Sequence, residues 1–174
     1  MKHPENITII GGGGAIGYAF AQELRARHPV ATIRVFSRAL PQTEISGVSH
    51  QLIDYEDELS IQAAANLASA DRPVDLVLVT TGILHEENLR PEKSLRELSY
   101  KNFERLFKVN TITPALIAKY FLPVLSRNKL SIFAALSARV GSVSDNQLGG
   151  WYAYRASKSA LNMIIKSASI EVAR

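Results

Sequence analysis

Cysteine is absent from the 174 residues, which excludes disulfides, thiolate catalysis and cysteine-based zinc sites. Long apolar runs are missing too: none reaches the roughly 18 residues that span a bilayer. The basic residues leave a net charge of +4, but no run of five or more marks a nucleic-acid patch. A solvated, mixed surface is expected instead. Repeats, low-complexity tracts and linkers are absent as well, and no metal site is expected. One segment imitates a secretory leader: Ile7 to Ala21 is mostly apolar, follows Lys2 and ends in Ala19-Phe20-Ala21. Glu5 in the supposed basic region, and four glycines in the supposed apolar helix, argue against that reading. The expectation is a soluble cytoplasmic protein with neither nucleic-acid nor membrane partners.

What is present is an alternation of short β-branched runs with helical stretches. Strands are expected at Ile7–Ile10, Thr32–Ser37, Val48–Ile53, Val74–Thr81 and Leu130–Leu136. Helices are expected at Ala15–Ala26, Glu56–Ser69, Ser94–Leu125 in two pieces, and Tyr152–Val172. The run Val74–Thr81, apolar but for Asp75 up to its closing threonines, suits a strand buried on both faces. Such an order predicts an α/β fold: a Rossmann-type, doubly wound parallel sheet with helices on both faces. The 174 residues are expected to form one dinucleotide-binding domain that also carries the catalytic groups. Ligands in such sheets bind beyond the carboxyl ends of the strands, where the motifs below fall.

The first strand runs into Gly11-Gly12-Gly13-Gly14-Ala15-Ile16-Gly17 and then a helix. Glycine lets the backbone turn tightly and approach a pyrophosphate, and the helix N-terminus offers free N–H groups. Gly12, Gly14 and Gly17 satisfy GxGxxG; Gly11, Gly14 and Gly17 satisfy GxxGxxG; Gly11 and Gly17 fit the outer positions of GxxxGxG. The glycines alone do not choose among dinucleotide-binding families. NAD sites place an acid about 20 residues on, to bond the ribose 2′-OH. Here the second strand ends in Ser37-Arg38 with no acid. Arg38 suits a 2′-phosphate, helped by the Ser37 hydroxyl, so NADP(H) is favoured over NAD(H). A solvent-facing Arg38 is the alternative. Asp54, with Tyr55 alongside, suits the adenine amino group or a plain loop cap. Thr81-Gly82 lets the backbone lie close to the cofactor or simply ends the fourth strand.

Tyr154 and Lys158 are four residues apart and share one helix face. A phenol titrates near pH 10, too high for easy proton exchange at neutrality. A nearby ammonium favours the phenolate, so the pair makes a plausible tuned acid/base. By itself Tyr-x-x-x-Lys is common by chance.

The wider stretch Tyr152-Ala153-Tyr154-Arg155-Ala156-Ser157-Lys158-Ser159-Ala160-Leu161-Asn162 resembles the active-site helix of the short-chain dehydrogenases/reductases. The glycine turn, Val79-Thr80-Thr81-Gly82 and Lys108-Val109-Asn110-Thr111 fall where that family places its other motifs. Leu136-Ser137-Ala138-Arg139-Val140-Gly141-Ser142 and Gly149-Gly150-Trp151-Tyr152 are similar to the C-factor and small carbonyl-reductase branch. The resemblance implies that Tyr154 protonates a carbonyl oxygen as hydride arrives from the nicotinamide. It implies that Lys158 lowers the Tyr154 pKa and holds the nicotinamide ribose. It also implies that Asn110 anchors a proton-relaying water, that the substrate is a small carbonyl compound, and that the chain forms a homodimer or homotetramer.

Three departures stand out. Ala15 replaces the middle glycine of the turn. Val79 and Thr80 replace two asparagines that brace the central strand. The substrate-binding serine, expected three residues before Gly141, is Ala138. Ser137 lies one residue earlier and Ser142 just past the glycine. Strand side chains alternate faces, so the shift turns Ser137 away unless the strand end is irregular. Ser137 is the better candidate. The chain stops within the helical pattern Ile164–Val172, whereas the family continues past this point, so a longer native protein is expected. Two other readings compete: a catalytically weak NAD(P)-binding regulator of the C-factor type, and a sugar-nucleotide epimerase or dehydratase. The short interval from Ser137 to Tyr154, and Arg38, argue against the last.

Overall fold

A computed structural model describes residues 4–173. Lys2 of the leader-like pattern and the chain end at Arg174 lie outside the described residues. The strands are β1 (Asn6–Ile10), β2 (Thr32–Ser37), β3 (Val48–Leu52), β4 (Leu76–Val79) and β5 (Ile132–Ala135). The helices are α1 (Ala15–Arg27), α2 (Glu58–Ser69), α3 (Tyr100–Phe107), α4 (Thr113–Phe121) and α5 (Tyr152–Glu171). The chain divides into two compact units: residues up to Thr80 with Leu116–Ala135, and Thr81–Ala115 with the residues from Leu136 onward.

The first unit holds the sheet. All strand pairs are parallel, in the order β3-β2-β1-β4-β5. All five residues of β1 are buried, as a central strand of a parallel sheet requires. Its side chains alternate between two cores. Ile7 and Ile9 join Ile33 and Val35 beneath Ala21 and Leu24 of α1. Ile10 joins Phe36, Val77 and Val79 beneath Ile61 and Ala65 of α2 and Ile117 and Phe121 of α4. Helices therefore cover both faces, and the doubly wound architecture is that expected. Asp57 caps α2 by accepting from the Leu59 N–H at 2.9 Å. The side chain of the buried Asn6 donates to the carbonyls of Ala68 (2.8 Å) and Arg72 (2.9 Å), tying the end of α2 to β1. The strand order reverses between β1 and β4, the switch point at which open α/β sheets place ligands.

The second unit is helical. Where the sequence suggests one helical region from Ser94 to Leu125 in two pieces, the break is a widened turn at Lys108–Ile112 with i→i+5 bonding. Pro114 has no N–H to return to Asn110 four residues earlier, and its ring crowds that carbonyl. The Thr113 N–H and hydroxyl both donate to Lys108 O instead, the hydroxyl at 2.9 Å. Ser99 caps α3 by accepting from the Asn102 N–H at 3.1 Å. Leu89, Leu106 and Ala153 form a small core here with Ile83, Phe103 and Tyr154. Among the described residues no helix is long and apolar enough to cross a membrane.

Candidate active site

In the first unit, the chain leaves β1 through Gly11 in the left-handed region (φ 95), a conformation that favours glycine. The Gly11 N–H donates to Phe36 O at 2.8 Å, and the Gly14 N–H to Gly11 O at 3.1 Å. The first bond into α1 runs from the Tyr18 N–H to Gly14 O. The N–H groups of Ala15, Ile16 and Gly17 thus have no partner within the helix, and Gly14 offers no side-chain cap. Gly17 is buried, and a Cβ there would lie 2.6 Å from both Gly11 O and Thr80 Oγ1. At Gly14 the nearest atom would be 3.6 Å away. The turn is therefore closed beneath and open above, a cradle that fits a pyrophosphate. Thr80 compensates for a missing asparagine: its hydroxyl donates to Ile10 O at 2.9 Å, bracing β4 on β1.

Further along the same unit, Arg38 is exposed, while Ser37 is buried and donates its hydroxyl to Ala39 O at 2.6 Å. That proton is committed, which leaves Arg38 as the group with donors to offer a 2′-phosphate. Asp54 accepts from the Glu56 N–H at 2.8 Å through Oδ1, a local cap. Burial pushes the Tyr55 phenol up to about 12, although the nearby Arg38 guanidinium pulls the other way.

In the second unit, Tyr154, Lys158, Asn110 and Ser137 occur together, with Thr81 and Gly82. Lys158 is only 3% exposed, and its Nζ donates to Leu136 O at 2.9 Å. The same Nζ lies 6.0 Å from the Tyr154 ring centre. Burial lowers the Lys158 pKa and raises that of Tyr154. Desolvation disfavours phenolate and ammonium alike. Gly82 is a close neighbour: a Cβ there would sit 3.3 Å from Lys158 Nζ and 3.5 Å from Asn110 Oδ1. The Thr81 hydroxyl is buried with no partner, an orphan that fits a hydroxyl-bearing ligand.

Asn110 is fully buried, and its carboxamide is bonded at both ends within the protein. Oδ1 accepts from the Ile83 N–H at 2.8 Å, and Nδ2 donates to Ile83 O at 2.9 Å and Ser157 Oγ at 3.1 Å. The side chain thereby clamps the chain after Gly82. Ser137 donates its hydroxyl to Asn162 Oδ1 on α5 at 2.6 Å. Ser142 is bound into a turn, 3.3 Å from Ser144 Oγ and accepting from the Asp145 N–H at 3.3 Å.

Two further residues shape this unit. Glu92, 1% exposed, meets the start of α5 by accepting from the Ala153 N–H at 3.3 Å. Arg155 donates to the carbonyls of Gly150 (3.0 Å) and Gly149 (3.1 Å), closing the bend before the helix. Sequence reading passed over both. Glu92 sits in a patternless loop, and only the pair Gly149-Gly150 hinted at a left-handed turn for Arg155 to fasten. Among the described residues no group of three or more His, Cys, Asp or Glu could hold a metal.

The family described as short chain dehydrogenase matches residues 5–174. C-signal of Myxococcus xanthus is 37% identical over 79 residues; the match takes in 45% of this chain and 48% of that protein, about half its length. Among solved structures, the carbonyl reductase Sniffer of D. melanogaster is similar with a TM-score of 0.82 at 22% identity, covering 98% of this chain and 76% of that one. The NADPH-bound carbonyl reductase from chicken fatty liver gives a TM-score of 0.79 at 23% identity, over 96% and 70% of the two chains. At such identities the structural likeness is one of fold.

Proposed function

The chain belongs to the short-chain dehydrogenase family, and from that premise we propose an NADP(H)-dependent oxidoreductase acting on a carbonyl/alcohol pair, with Tyr154 as general acid/base. The observation that carries the proposal is the burial of Lys158 one helical turn beyond Tyr154, with its ammonium fixed on Leu136 O and facing Gly82. A buried ammonium held by a single carbonyl and no counter-charge is costly unless a ligand uses it. In the first unit the turn from Gly11 to Gly17, including Ala15 and Ile16, would hold the pyrophosphate. There Arg38, with Ser37 beside it, would hold the 2′-phosphate, and Asp54 and Tyr55 the adenine end. In the second unit Thr81, Gly82 and Lys158 would hold ribose and nicotinamide. When bound, the nicotinamide supplies or takes the hydride. Tyr154, kept protonated by its partial burial, gives its proton to the carbonyl oxygen; Ser137 steadies that oxygen; Asn110, which holds Ile83, anchors a proton-relaying water. The substrate is a small carbonyl compound, and a homodimer or homotetramer is part of the same reading.

The test is turnover of NADPH with a panel of aldehydes and diketones. Tyr154→Phe is expected to lower kcat by about 10²–10⁴-fold while NADPH still binds; turnover equal to the parent chain sinks the assignment. Arg38→Ala is expected to reduce the preference for NADPH over NADH by about tenfold or more, the worth of a charge-assisted bond. An unchanged preference removes the 2′-phosphate role. The C-signal match favours a second reading, a nucleotide-binding regulator with weak catalysis. NADPH binding without turnover on any carbonyl, indifferent to Tyr154→Phe, is its signature.

A further inference from the structure

We infer that Glu92 is a positioning residue that seats the first turn of α5 and thereby Tyr154, an inference that rests on the proposed role of Tyr154. The start of α5 lacks the usual means of support. Trp151, just before it, is left-handed at φ 52, a region bulky residues rarely adopt, and follows Gly149 and Gly150 at φ 64 and 63. Trp151 carries no side-chain oxygen to cap the helix. Glu92 does this from outside, 61 positions from Ala153 in sequence. Its carbonyl accepts from the Trp151 N–H at 2.5 Å, and its Oε2 accepts from the Ala153 N–H at 3.3 Å. Gly150 is pressed against the same residue: a Cβ there would lie 3.2 Å from Glu92 O.

The other carboxylate oxygen, Oε1, is buried with no partner. A buried carboxylate left half-satisfied is costly, and the positive end of a 20-residue helix is what offsets that cost. Ala153, the residue bonded to Oε2, is itself fully buried in the small core with Leu89 and Leu106. Tyr154 is the next residue. Glu92 thus fixes the height and rotation of the turn that carries the phenol. Without its acceptor the turn can slide, and a misplacement of about 1 Å at reacting atoms costs on the order of 10²-fold in rate.

Two variants of the full chain separate this from general stability. Glu92→Gln keeps an acceptor in the same place; Glu92→Leu keeps volume but has none. With NADPH and a carbonyl substrate, Gln is expected within about threefold of the parent kcat, and Leu about tenfold or more below it at little-changed KM. Amide exchange, read without substrate, is expected to speed about tenfold at Ala153 and Tyr154 in Leu alone, with the last turns of α5 unmoved. The emission of Trp151, the one tryptophan in the chain, should shift in Leu alone. Parent-like exchange at the first turn in Glu92→Leu, or equal loss in both variants with exchange raised throughout, overturns the inference. A chain with no turnover, or with Tyr154→Phe fully active, defeats the catalytic reading, and exchange and emission still decide the seat. If Glu92→Leu does not fold, Gly150→Ala pushes on the same carbonyl. It should lower kcat at little-changed KM and speed first-turn exchange; parent values for both overturn the proposal.

Discussion

Ser137 and Ser142 compete for one role, and their surroundings differ. Ser137 lies two residues past Ala135 in the chain with its hydroxyl on Asn162, a single bond that rotation about Cβ–Oγ can exchange for a substrate oxygen. Ser142 is part of a turn closed by Ser144 and Asp145, and redirecting it would undo that turn. Ser137→Ala is therefore expected to lower kcat by about 10²-fold, the worth of one oxyanion donor. Ser142→Ala should change it by about twofold at most, as surface substitutions do. Steady-state kinetics on the two variants checks this; a loss confined to Ser142→Ala reverses the assignment. The serines themselves were legible as candidates. Their partners were not, because Asn162 lies 25 residues from Ser137 and meets it only through the fold.

The glycine turn shows how one element divides its residues between packing and binding. Gly17 lacks a Cβ because the backbone of Gly11 and Gly12 and the Thr80 hydroxyl fill the space. Gly14 is exposed, with room for a methyl group. Gly17→Ala is thus expected to destabilise the chain by roughly 1–3 kcal/mol, as overpacking does, and to weaken NADPH binding with it. Gly14→Ala should leave the urea midpoint in place and weaken NADPH binding alone, since its methyl projects toward the cradle. Denaturation and NADPH titration of both variants provide the check; equal midpoints for the two would refute the division. The same contrast marks the helices. The pattern of Tyr152–Val172 foretold α5 almost to its ends, whereas the widened turn at Lys108–Ile112 was not foreseen, although Pro114 was its visible cause.

For the molecule as a whole, the buried titratable groups make stability depend on alkaline pH. The Tyr55 phenol titrates near 12 when folded and near 10 when unfolded. Between those values the unfolded chain sheds a proton that the folded chain keeps. Stability present below pH 10 is therefore lost as pH rises through this window, by at most about 1.4 kcal/mol per pH unit. Tyr154, also raised by burial, acts with the same sign. Lys158, lowered by burial, acts oppositely: the folded chain loses that proton first, so stability gains as pH rises toward the ordinary lysine value of 10.5. Urea unfolding between pH 9 and 12 should show a steep decline above pH 10, shallower in Tyr55→Phe. An equal decline in both excludes the assignment.

Local chemistry was enough to determine the strands and helices to within a few residues, the parallel doubly wound sheet, the glycine turn and the Tyr154–Lys158 spacing. Hydrophobic period, turn residues and helix geometry act over a few positions, and each leaves its mark in the residues concerned. Tertiary structure alone decided what those groups experience. Burial raised the Tyr154 pKa and lowered that of Lys158. Ile83 and Ser157 took up the Asn110 amide, and Glu92 was brought across 61 positions to the head of α5. Desolvation and long-range hydrogen bonds depend on which distant residues pack together, and that follows from the fold rather than from any short stretch of sequence.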